Sequence, residues 1–135
     1  MGKELILVSH GRFCEELKGS TEMIMGPQEI IHTVALLPEE GPEDFRAKLE
    51  ATLAGIEEPV VFADLLGGTP ANVVSRIIME GRQIDFYAGM NMPMVIGFLN
   101  GVLLDSDVDI VEFGTTNILH VNDMLNSDDD DDEDE

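Results

Sequence analysis

A doubly wound α/β fold, a mainly parallel sheet of about five strands with helices on both faces, is what this sequence predicts. Three observations carry that expectation. Apolar bursts of strand length alternate with segments of helical period. Leu5-Ile6-Leu7-Val8 is a continuous apolar run, as expected for a strand buried on both sides. Helix stops and starts, among them Gly26-Pro27 and Thr69-Pro70, fall between the bursts.

Taken in order, the first strand is followed by a helix from about Arg12 to Met25, with Phe13, Leu17, Thr21 and Ile24 on one face. Ile30 to Leu37 reads as the second strand. Pro38-Glu39-Glu40-Gly41-Pro42 is a turn whose last proline can take the first helical position. Phe45, Leu49 and Leu53 then recur at helical spacing. Val60-Val61-Phe62-Ala63 is the third strand and ends at Asp64. Thr69-Pro70 has the form of a helix cap with proline next, followed by Val73, Val74, Ile77 and Ile78. A fourth strand runs near Ile84 to Ala88, and Asn91-Met92-Pro93 opens a helix through Leu99 to about Leu103. Val108 to Phe113 reads as helical, and Ile118 to Val121 as a short last strand. The whole has flavodoxin-like size. In such sheets the working site lies at the carboxyl ends of the strands, which directs attention to Ser9-His10-Gly11, to Asp64 through Pro70, and to Gly89 through Pro93.

The 135 residues suffice for one domain, expected over residues 1–127, with 44% apolar residues to fill its core. The formal charge of −21 owes eight units to the acidic run Asp128 to Glu135, which leaves −13 for residues 1–127. That run, 128–135, is expected to be a solvated, disordered tail, with docking as its other possible role. An acidic chain without a basic stripe is a poor binder of nucleic acid or anionic lipid, and a basic protein partner suits it better. No apolar run approaches the roughly 20 residues that span a bilayer, and the start lacks a signal-peptide layout, so a soluble, cytoplasmic protein without membrane insertion is expected. Ile6 stands where a myristoylation motif needs Ser or Thr. The single Cys14 cannot form an internal disulfide or a multi-thiolate metal site, and its spacing from Phe13 and Leu17 reads as core packing rather than reactivity.

His10 leaves an apolar strand and precedes a glycine, so it stands at the mouth of the sheet. Position alone leaves open a polar strand-end histidine. Asp64, delivered to the end of a neighbouring strand, adds a carboxylate that could accept a bond from one ring nitrogen and leave the other as an aimed lone pair, as a nucleophilic histidine requires. A turn or capping role is its alternative. Gly67 and Gly68 allow backbone to approach an anion, and exposed N–H groups at a helix start carry partial positive charge. The hydroxyl of Thr69 can donate to a phosphoryl oxygen or cap the helix. Arg12 is a cation within reach of such a group, though a solvent-facing role is the simpler one. With two helix starts facing one histidine, a phosphoryl group could be held without a metal, which matters because no Asp/Glu/His cluster resembles a magnesium site. No cofactor is expected. His32 and His120 receive no catalytic role. Met90, Met92 and Met94 fit core and rim packing or an adaptable surface for a partner.

Two other classes fit parts of the pattern. A histidine phosphatase or mutase also places His-Gly after a first strand, but it needs an arginine before that histidine, where Ser9 stands, and a second catalytic histidine. A flavodoxin-like FMN carrier needs a first loop rich in Thr, Ser and Gly, whereas this one is Ser-His-Gly-Arg. A receiver domain wants an acidic pair after the first strand.

Ser9-His10-Gly11, Glu22-Met23-Ile24, Phe62 through Pro70 with Asn72, and Ala88 through Met94 together resemble the IIA domain of the mannose/fructose/sorbose class of bacterial phosphoenolpyruvate-dependent sugar phosphotransferase systems (PTS). The resemblance covers about residues 4 to 125. It implies that His10 takes a phosphoryl group from the phosphocarrier protein HPr and gives it to the IIB component, that Asp64 orients His10, and that Thr69 contacts the phosphoryl group; the residues themselves add Gly11, Arg12, Gly67 and Gly68 as expected phosphoryl-binding positions. It also implies a homodimer that exchanges a C-terminal antiparallel edge strand, Ile118 to Val121. The acidic end lies outside the family pattern and implies that IIB is a separate polypeptide.

Overall fold

A computed structural model describes residues 2–126. Its elements are β1 (Lys3–His10), α1 (Phe13–Met25), β2 (Ile31–Leu36), α2 (Pro42–Leu53), β3 (Glu58–Ala63), α3 (Gly68–Met79), β4 (Asp85–Ala88), α4 (Met92–Leu104) and α5 (Ile110–Thr116). The four strands pair in the order β2-β1-β3-β4, and every pairing is parallel. The two inner strands carry the most continuous apolar runs because both their faces are covered. Leu5, Leu7 and Phe62 pack with Cys14, Leu17, Val95 and Phe98 beneath α1 and α4. Ile6, Val8, Val61 and Ala63 pack on the opposite face with Phe45, Leu49, Val74 and Ile77 of α2 and α3. Burying an aliphatic or aromatic side chain of this kind stabilises by about 1.5–3 kcal/mol, so these two layers hold the sheet between the helices.

Local signals account for the boundaries. Gly26, at φ +84, ends α1 and donates its N–H to the carbonyl of Glu22 at 2.8 Å. Pro42 opens α2, where Asp44 accepts the N–H of Gly41 at 3.0 Å. Asn91 caps α4 by accepting the N–H of Met94 at 3.0 Å. A Cβ on Gly97 would stand 2.9 Å from the ring of Phe113, so the bare position is what lets α5 lie against α4.

Several expectations are corrected. The sheet has four strands among the described residues, not five. Residues 118–120 have no regular structure and 121–126 are helical. A short apolar run fits strand and helix alike. Here Ile118, Leu119 and Val121 are more than half exposed and pair with no strand among the described residues, while the carbonyl of His120 accepts the N–H of Asp123 in a helical turn. The buried face of α1 is Cys14, Leu17 and Thr21; Phe13 and Ile24 are exposed. The helix expected from Val108 begins at Ile110, capped by Asp109. Thr69 does not cap α3, because the chain enters that helix through Gly67 at φ +98 with no side-chain cap. Met90 and Met94 are buried in the core and Met92 is half-buried, so they form no methionine surface. The acidic run 128–135 lies outside the described residues.

Candidate functional site

His10 is the last residue of β1 and Asp64 the first after β3, and parallel pairing of those strands brings the two side chains to one rim. The N–H of Asp64 continues the ladder by donating to the carbonyl of Val8 at 3.2 Å. Oδ2 of Asp64 accepts the main-chain N–H of His10 at 2.9 Å and lies 2.9 Å from Nδ1 of its ring. Oδ1 accepts the N–H of Leu65 at 3.0 Å. Three donors therefore fix this carboxylate, whose side chain is 13% exposed. An ionised carboxylate only accepts, so in the neutral imidazole this contact favours the tautomer with the proton on Nδ1 and the lone pair on Nε2. The imidazole is 47% exposed, open enough for another macromolecule to reach.

The loop that leaves Asp64 returns to the other edge of the ring. Gly68, at φ +80, starts α3 so close to His10 that a Cβ there would stand 2.7 Å from Cε1 and Nε2. The first turn of a helix has N–H groups without intrahelical partners and a partial positive charge. Residues Gly68 to Ala71 form such a turn beside the free ring nitrogen, with no acidic side chain in it. Thr69 sits within this turn, partly buried.

On the other side, Gly11 has φ +63 and donates its N–H to the carbonyl of Leu36 at 2.7 Å. The guanidinium of Arg12 is paired with Glu15, at 3.0 and 3.3 Å, one helical turn away. The loop after β4 is tied elsewhere: Gly89 and Met90 both donate to the carbonyl of Ala63, and Asn91 donates to the carbonyl of Gly114. Two of the three predicted loops thus build the site. His32 pairs with Glu4 and His120 with Asp123. Among the described residues no group of three or more His, Cys, Asp or Glu is placed to hold a metal ion.

Sequence reasoning gave Ser9 no role, yet it is fully buried and its Oγ bridges the turn, donating to the carbonyl of Gly11 at 2.8 Å and accepting the N–H of Cys14 at 2.9 Å. The signal available was a small hydroxyl next to a catalytic candidate, on the side of the strand that α1 must cover.

The parallel sheet, its order and its flanking helices define a flavodoxin-like α/β protein with a histidine–aspartate pair at the carboxyl rim. Solved structures of this architecture include the phosphotransferase system component EIIA from Streptococcus agalactiae, with TM-score 0.82 and 27% identity over 89% of this chain and 98% of that one. The mannose/sorbose-specific IIA subunit from Enterococcus faecalis has TM-score 0.73 and 32% identity over 88% of this chain and 94% of that one. The chain belongs to the mannose/fructose/sorbose class of PTS IIA components: the family described as "PTS system fructose IIA component" matches residues 4–112. Among curated relatives, the fructose-specific EIIA component of Bacillus subtilis (strain 168) is 33% identical over 99 residues, 71% of this chain and 68% of that protein. The mannose-specific EIIAB component of Escherichia coli (strain K12) is 33% identical over 95 residues, 68% of this chain but 29% of that protein. The chain therefore spans less than a third of the mannose-specific proteins it matches. No helix among the described residues is long and apolar enough to cross a membrane.

Proposed function

We propose that this chain is the phosphoryl carrier of a bacterial sugar phosphotransferase system: Nε2 of His10 accepts a phosphoryl group from phospho-HPr and passes it to a IIB component. The observation that carries the reading is the two-sided hold on one imidazole, with Asp64 on Nδ1 and the start of α3 beside Nε2. Phosphoryl transfer passes through a loose transition state, so the protein supplies position and charge rather than covalent chemistry. The phosphorus–nitrogen bond of the donor breaks as the bond to Nε2 forms. The proton stays on Nδ1, and Asp64 stabilises the positive charge that the ring gains. Helix-start amides around Gly67 and Gly68, with the hydroxyl of Thr69, receive the phosphoryl oxygens. Gly11 shapes the turn beside them, and Arg12 can exchange Glu15 for the phosphoryl group because an exposed pair is worth only about 0–1 kcal/mol.

Phe13, Leu65 and Leu66 are about half exposed or more and surround His10 in the chain and in the loop, an apolar rim that a docking protein would cover. Leu103, Leu104, Val111, Ile118 and Leu119 are exposed on and after α4 and α5, which favours a homodimer built on that face. The carrier acts in the cytoplasm.

The test is phosphorylation of the wild type and His10→Gln by phosphoenolpyruvate, its general phosphotransferase and HPr. Wild type should gain acid-labile phosphate and His10→Gln none; label retained on the variant refutes the assignment.

A further inference from the structure

We propose that Ser9 is a positioning residue for His10: its buried hydroxyl, bonded to the carbonyl of Gly11 and to the amide of Cys14, sets the turn on which the imidazole stands. The inference rests on His10 being the phosphoryl acceptor. Ser9 belongs to the last pairs of β1, opposite Ala35, and has no exposed surface. Its Oγ spends its one proton on the carbonyl two residues on, at 2.8 Å, and offers a lone pair to the N–H five residues on, at 2.9 Å. This closes residues 9–14 into a ring that runs through His10 without using the imidazole.

That ring is needed because the turn is otherwise unfavourable. Gly11 holds φ +63, and the first helical amides of α1 have no carbonyl behind them. The N-cap position, Arg12, supplies no side-chain cap. Ser9 replaces that cap from within the strand. His10 is then held from three directions: by Ser9 across the turn, by Leu36 through the amide of Gly11, and by Asp64 through its own amide and Nδ1. Remove the hydroxyl, and Asp64 and the bond from Gly11 to Leu36 must keep a ring on a loosened turn. A misplacement of about 1 Å at a reacting centre can cost up to a hundredfold in rate.

The experiment uses the full chain carrying Ser9→Ala, Ser9→Thr or Ser9→Cys. Transfer from phospho-HPr is measured as kcat and KM, and the ring of His10 is followed by 15N NMR across pH. In Ser9→Ala, kcat should fall about tenfold with KM changed by less than about twofold, and the single Nδ1–H tautomer should give way to a mixture. Ser9→Thr, which keeps the hydroxyl, should restore both. A Ser9→Ala protein with native kcat and native ring signals overturns the proposal, as does one that melts earlier while its ring signals stay native. If Ser9→Ala does not fold, the comparison moves to Ser9→Cys, which keeps the volume but bonds weakly: ring signals as ordered as those of Ser9→Thr refute the role, and disordered ones support it. If wild type accepts no phosphoryl group, the functional reading fails, while the tautomer comparison still decides the role of Ser9.

Discussion

One oxygen of Asp64, Oδ2, holds His10 twice, through the main-chain N–H and through Nδ1, each at 2.9 Å. Position and tautomer are therefore set by the same atom, and a change there disturbs both. Asp64→Asn has one oxygen and one NH2 for these places: an oxygen at the Oδ2 position turns the NH2 toward the N–H of Leu65, and an NH2 there opposes the main-chain N–H of His10 and favours the wrong tautomer. It should fold and bind HPr as wild type does, with transfer slowed by about a hundredfold, within the range by which a positioned proton-handling group acts. Rapid-quench measurement of phosphoryl transfer checks this; a native rate removes the orienting role.

Gly67 and Gly68 provide a matched pair of controls. Both have positive φ, +98 and +80, so an alanine at either carries backbone strain of about 1–2 kcal/mol. Only at 68 would the new methyl meet the imidazole; at 67 nothing lies within 4 Å. Both variants should lose similar stability in urea titrations, and Gly68→Ala should lose far more phosphorylation than Gly67→Ala. Equal activity in the two would show that α3 does not lie against Nε2 as described.

Away from the site, the guanidinium of Arg46 holds the carboxyl of Glu80 below its ordinary value, chiefly through a direct hydrogen bond, and so joins α2 to α3. For a carboxylate lowered in the folded state, the stabilisation is present above its unfolded pKa and is lost as pH falls through the lower folded one. Arg46→Gln should therefore lower the melting temperature at pH 7 and change it little near pH 3. Equal losses at both pH values would show that packing, not charge, explains the effect.

Burial raises the thiol pKa of Cys14, which lies on the sheet-facing side of α1 with no exposed surface. Its thiolate fraction near neutral pH is thus smaller than that of a free cysteine, and reagents cannot reach it. Modification by a disulfide reagent at pH 8 should be slow in the native protein and fast in guanidinium chloride. Rapid native reaction would contradict the packing of α1 on the sheet.

How much of this was legible depended on whether a residue's role is local. The runs Leu5 to Val8 and Val60 to Ala63 read as strands buried on both faces because each is short, rich in β-branched or aromatic residues and bounded by polar or turn residues. His10, Asp64 and the glycine pair followed, since parallel strands deliver their carboxyl ends to one rim. Phe13 and Ile24 were misassigned: their spacing fits the apolar face of α1, but the sheet selects the stripe centred on Cys14, Leu17 and Thr21, leaving Phe13 free beside His10. Thr69 looked like a cap because Thr-Pro favours one, yet two glycines of positive φ carry the chain into α3 a residue earlier. The segment from Ile118 was ambiguous in period, and among the described residues it pairs with no strand and turns helical from Val121. Ser9 stayed invisible because its role is a hydrogen-bond geometry that spacing does not encode.

The central claim is that Nε2 of His10 carries phosphorus. Nitrogen-15 NMR of the protein phosphorylated through HPr locates the bond to one ring atom. The account predicts a single phosphorylated site, Nε2 of His10, with the proton retained on Nδ1. Phosphorus on Nδ1, or on His32 or His120, would contradict it.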